Sequence, residues 1–175
     1  MPVRVKTRIN PKKINDKIIK ELHKNFPKRE IRNSILNRIA TGNSPVQGKG
    51  KFAPYSRSYK DSIKGNTSFR TIEGKVIPYR PAFNSDRDKF RGKQIRPVNL
   101  KITGKMLKSL KIREIRNGIS IIFTDPKAIF HDQEGAGKAG TIRRLLPGKD
   151  EKFYRPIQKR INEAFSKAVK KAFGN

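Results

Sequence analysis

The residues of this 175-residue chain that could do chemistry fall mostly between positions 131 and 149. His131, Asp132 and Glu134 bring an imidazole and two carboxylates together, the donor types of a metal site or of general acid–base chemistry. Zinc needs further ligands, and the other histidine, His23, lies far upstream at an unrelated spacing, so a hydrogen-bonded histidine at a turn or subunit contact is the simpler reading. Gly135-Ala-Gly-Lys-Ala-Gly140 has the formal spacing of a dinucleotide fingerprint, yet it runs into Thr141-Ile-Arg-Arg and a proline where that motif needs a helix. Its glycines suit a mobile or close-packed loop. Arg143 and Arg144, with Lys138 and Lys149, form a basic cluster able to bind phosphate or to pair with carboxylates of an adjacent subunit. Leu145-Leu146-Pro147 follows and anchors the segment in the core, so the fold is expected to position these arginines and not leave them freely waving. No Ser-His-Asp order, paired carboxylates, Walker glycine loop or HExxH helix occurs. The expectation is a non-enzyme with no catalytic residue, metal or cofactor.

The elements that must position these residues can be read from periodicity. Val3, Val5 and Ile9 between basic residues suit an edge strand or extended arm over residues 1–11. Ile14, Ile18, Leu22 and Phe26 recur every four residues and predict an amphipathic helix over 12–26, with Asn10-Pro11 as its cap and first turn. Pro27 interrupts, and Ile31, Ile35, Leu36 and Ile39 carry the helical period on to Gly42. Residues 42–59 read as an irregular loop. Residues 63–97 read as an inserted basic arm, with a hairpin of strands about 70–72 and 75–77 turned by Glu73-Gly74. Thr103 and Gly104 look like the start of a short helix burying Met106, Leu107 and Leu110. Asn117-Gly118, flanked by β-branched residues, predicts a hairpin over 111–123. Phe153, Ile157, Ile161, Phe165 and Ala168 predict a C-terminal amphipathic helix. The expected fold is α+β in a single domain, 1–175, with an antiparallel sheet packed by long N- and C-terminal amphipathic helices and an extended basic loop or hairpin arm.

Composition narrows the partners. Lys and Arg number 43 against 14 Asp and Glu, a formal charge of +29, and self-repulsion of that size disfavours a free compact monomer. An anionic partner is implied, and double-stranded DNA is the obvious one because neutralising its phosphates releases counterions. Cysteine is absent, which excludes disulfides, thiolate metal sites and a cysteine nucleophile. No apolar run approaches the roughly 20 residues that span a bilayer, so neither a membrane anchor nor a signal peptide is expected.

Phe52-Ala-Pro-Tyr-Ser56, Leu100-Lys-Ile-Thr-Gly-Lys-Met-Leu-Lys-Ser-Leu110, Ala128-Ile-Phe-His131 with Gly135, and Arg143-Arg-Leu-Leu-Pro147 form an ordered series. With the C-terminal helix it resembles the bacteriophage tail-completion and virion-morphogenesis proteins, which join head to tail or form the neck. Thr103, Gly104, Leu107, Ser109, His131, Gly135 and Pro147 are the positions that carry the resemblance. It departs from the family pattern in the 63–97 insertion and the high charge. The resemblance implies a structural virion protein, assembled in the host cytoplasm and located at the neck or head-proximal tail. It implies a homo-oligomeric ring, taken as a hexamer, that completes the tail, contacts other neck, portal or tail-tube proteins and surrounds double-stranded DNA, with the Lys138, Arg143, Arg144 and Lys149 cluster facing that lumen or an intersubunit contact. The alternative is a basic nucleic-acid-binding structural protein of ribosomal or nucleoid type, with Tyr55, Tyr59, Tyr79 and Phe90 available to stack on bases.

Overall fold

A computed structural model describes residues 5–9, 16–55, 60, 68–70, 75–78, 96, 98, 100, 104–135 and 140–173. The fold is α+β: N- and C-terminal helices pack on an antiparallel sheet. Its strands are β1 (Val5–Ile9), β4 (Leu110–Ile115) and β5 (Gly118–Phe123), in the order β1-β5-β4. Being central, β5 is buried along its whole length, and Ile119, Ile121 and Phe123 turn one face into the core. The strand expected at the chain start is present and pairs with β5 from Val5↔Phe123 to Ile9↔Ile119.

The β4–β5 hairpin forms where Asn117-Gly118 signalled it, but the turn is shifted by one residue. Ile115 pairs with Gly118, so Arg116 and Asn117 make the two-residue connection. Gly118 takes the positive φ, 140°, as the first residue of β5, a conformation L side chains rarely adopt. Within the stretch read as an inserted arm, β2 (Ser68–Arg70) and β3 (Val76–Pro78) pair antiparallel, Phe69 opposite Ile77. The first strand therefore lies two residues N-terminal to the expected 70–72, and the expected turn residues Glu73 and Gly74 lie outside the described residues.

Helix α1 (Asp16–Asn25) and helix α2 (Lys28–Ala40) are separate elements, because Pro27 lacks an amide hydrogen and breaks the ladder. Leu22, Phe26, Ile31, Ile35 and Ile39 are buried, as the four-residue spacing requires. His23 Nε2 donates to the Gly118 carbonyl oxygen at 2.9 Å, and Lys28 Nζ donates to the Glu114 carboxylate. These contacts tie the helical pair to the sheet. The Asn10-Pro11 cap lies outside the described residues.

Short helix α3 (Lys105–Lys108) begins at Gly104, which has φ 76° and supplies no side-chain cap; Thr103, expected to cap it, lies outside the described residues. Helix α4 (Lys127–Ile129) continues into a π-helical turn, Phe130–Glu134. The C-terminal helix α5 (Arg155–Phe173) buries Ile157, Ile161, Ala164 and Ala168, packing along α1 and touching α2, so its route into the shared core runs chiefly through the helical pair. Among the described residues, no helix is long and apolar enough to cross a membrane.

Candidate functional site

The π-helical turn and the 141–151 segment face each other, and their polar residues interlock. The His131 carbonyl accepts from the Arg143 amide at 2.5 Å. One residue on, Asp132 is buried, and its Oδ1 accepts from the amides of Leu145 at 2.5 Å and Leu146 at 3.1 Å. Its Oδ2 lies 3.4 Å from Arg144 Nη1 and has no hydrogen-bond partner. Burial pushes the Asp132 carboxyl up, opposed by those two amides and by the Arg144 charge. Leu145 and Leu146 have no exposed surface, so the carboxylate replaces the water their amides would otherwise need.

Arg144 bridges this joint to the next loop. Its Nη1 donates to the Asp132 carbonyl at 2.7 Å, and its Nη2 to Glu151 Oε2 at 2.5 Å. Glu151 also accepts from the Gly148 amide at 2.9 Å and pairs with Lys49 Nζ at 3.1 Å. Partial burial would raise the Glu151 carboxyl, but the bonds from Gly148, Arg144 and Lys49 outweigh it and bring it down to about 2. Ser44, also buried, donates to the Arg144 carbonyl at 2.7 Å.

Arg143 turns the other way, into the 52–55 segment. It is 5% exposed, and its Nε and Nη2 donate to the carbonyls of Ala53 at 3.1 Å and Pro54 at 2.9 Å. Its guanidinium lies 5.5 Å from the centre of the Tyr55 ring, and the Tyr55 hydroxyl accepts from the Leu100 amide at 2.9 Å. The 53–55 segment thus links Arg143 on one side to Leu100 on the other.

The burial of Arg143 corrects the lumen-facing direction expected for it, while the partly buried Arg144 head group is held by Asp132 and Glu151. Of the same cluster, Lys149 is exposed and Lys138 lies outside the described residues. Tyr55 is likewise corrected, being buried and unavailable for base stacking, while Tyr59, Tyr79 and Phe90 lie outside the described residues. His131, expected at a turn or a subunit contact, lies in the π-helical turn. Its Nδ1 is buried without a partner, and burial, reinforced by the Arg143 charge, pulls the imidazole down to about 4. It is neutral at pH 7.

The remaining motif positions are joints. The Ser109 hydroxyl donates to the Met106 carbonyl at 2.7 Å and accepts from the Asp125 amide at 3.1 Å, closing α3 onto the end of β5. Leu107 packs against the core, and Pro147 is buried. Gly135 has φ 86°, and a Cβ there would stand 2.2 Å from the Gly140 carbonyl oxygen, so the glycines close a loop whose ends touch. Among the described residues, no three His, Cys, Asp or Glu side chains converge to hold a metal ion. Sequence reasoning missed Asp132 as an amide acceptor and missed Ser44 and Glu151 altogether, because their partners are remote in sequence or are backbone groups that carry no sequence signal. No family model matches the chain, and no match is found among curated proteins or solved structures.

Proposed function

We propose that the chain is a structural virion protein that forms a ring at the head–tail junction or head-proximal end of a phage tail, completing the tail and connecting it to the head. The observation that carries this reading is the role of the motif residues: Gly104, Ser109, His131, Gly135, Arg143 and Arg144 supply turns, backbone acceptors and internal bonds. Residues whose work is to set the shape of a subunit fit a part selected for assembly geometry. A ring also needs surface for its neighbour. Phe130 and Ile142, each 52% exposed, flank the His131–Arg143 backbone bond in the chain and offer apolar side chains on a rigid joint. A heterologous contact made there closes into a ring when the rotation per subunit divides a full turn.

The deciding measurement is the mass of nuclease-treated protein in high salt by light scattering, with negative-stain imaging of the same peak. Closed rings are expected, alone or on addition of tail-tube or portal proteins, and Phe130→Ser with Ile142→Ser should leave a folded monomer. A monomer that never closes under either condition overturns the reading. The second reading, a nucleic-acid-binding structural protein, is favoured by one observation, the density of lysine and arginine on the outer face of α5.

A further inference from the structure

The outer face of α5 differs from the 143–144 cluster. A shallow groove runs along it, lined by Arg155, Lys159, Lys167 and Lys170 with Asn162 and Ser166 between them. The opposite face of the helix is locked by Ile157, Ile161, Ala164 and Ala168, so these side chains project from a fixed element. Cations on the flanks are tied back to the neighbouring helices: Arg160 donates to Ser34 Oγ at 3.3 Å and Lys171 to Asn25 Oδ1 at 3.2 Å. Arg155, Lys167 and Lys170 have no ion pair with any described residue, and the one carboxylate in the groove, Glu163, is 3.9 Å from Lys159. Like charges three and four residues apart weaken a helix, so this stripe is relieved when an anion lies along it.

We propose that this face binds the phosphate backbone of double-stranded DNA. From Arg155 to Lys170 the helix rises about 22 Å, over which a duplex presents roughly a dozen phosphate charges, so one duplex meets all four cations. Asn162 and Ser166 add neutral donors of the kind that fix a backbone in register. The groove lining contains no aromatic ring, which leaves nothing for unpaired bases to stack on and favours a duplex over a single strand. The proposal does not depend on ring closure, and it moves the DNA-contacting role from Arg143 and Arg144 to a helix face where four cations meet one carboxylate.

The test is a fluorescence-anisotropy salt series with a blunt DNA duplex of about 20 base pairs. Lys159→Gln, Lys167→Gln and Lys170→Gln together should weaken binding at least tenfold at about 0.1 M salt and reduce the logarithmic salt slope by about 0.9 per lysine removed. Lys111→Gln, Arg113→Gln and Arg116→Gln remove the same charge from the exposed side of the β4–β5 hairpin and should change the slope by less than a third as much. Matching circular dichroism melts show that both variants fold. Equal losses in the two variants, tighter binding of an unpaired oligonucleotide or a duplex RNA, equal competition by a poly-glutamate peptide of similar length, or no duplex binding at all would each overturn the proposal. An α5-dependent slope in a chain that never forms rings keeps this inference and defeats the ring reading; rings without that slope do the reverse.

Discussion

The 143–144 pair and the outer face of α5 are both dense in positive charge along the sequence, and the fold treats them in opposite ways. At the first, a carboxylate lies beneath one arginine, a second carboxylate beside it, and two carbonyls receive the other. On α5 the cations outnumber the one carboxylate in the groove four to one. Basic residues become structural where the chain returns acceptors to them and become a surface where it does not. Hydrogen bonds made by buried ions are stronger than exposed pairs, so the first cluster should govern stability and the second binding.

Breaking the internal joint gives the largest expected effect. Asp132→Ala strands the buried amides of Leu145 and Leu146 and should cost about 3 kcal/mol in chemical denaturation, with Asp132→Asn recovering part of it. A denaturation midpoint unchanged by Asp132→Ala would show that the joint holds nothing. Arg143→Met, which leaves the Ala53 and Pro54 carbonyls without donors, should cost about 2 kcal/mol, and charge reversal at Arg143 would report on folding before any lumen.

The pH dependence sharpens the contrast next. The His131 imidazole titrates at about 4 in the folded chain against 6.5 when unperturbed, so the unfolded state binds the proton first. The stability this neutral side chain contributes is complete above about pH 6.5 and is lost as pH falls toward 4. Denaturation at pH 7 and pH 4.5 should differ by about 2 kcal/mol more in the wild type than in His131→Gln. Equal differences would place the titration elsewhere.

At the α5 surface the order of effects inverts. Lys167→Gln should change stability by less than about 0.5 kcal/mol while reducing the salt dependence of duplex binding, a separation that Arg143→Met should not show. The smallest effect is expected from Glu163→Gln, which removes the groove's carboxylate: duplex binding should tighten about two- to threefold, with melting unchanged. Weaker binding in that variant would mean that Glu163 orients Lys159 instead of opposing the ligand.

Much of the frame was legible along the chain. Ile31, Ile35 and Ile39 on one helix, Ile157, Ile161 and Ala168 on another, and the β-branched run after Asn117-Gly118 gave elements close to those observed, because burial of one face imposes its period on the sequence. The β4–β5 turn and the start of β2 moved by a residue or two, since pairing with a neighbour sets where a strand begins. The site was harder to read. Arg143 and Arg144 stood out by type, but their direction depended on Ala53, Pro54, Asp132 and Glu151, and two of those four offer only backbone carbonyls.

By itself the sequence determined the class of fold, the helices and central hairpin, the absence of cysteine chemistry and the excess of positive charge, all of which follow from local period and composition. Only the tertiary structure decided which cations face inward. That choice rests on which acceptors the packing of distant segments brings within about 3 Å of a guanidinium, a distance that no spacing along the chain encodes.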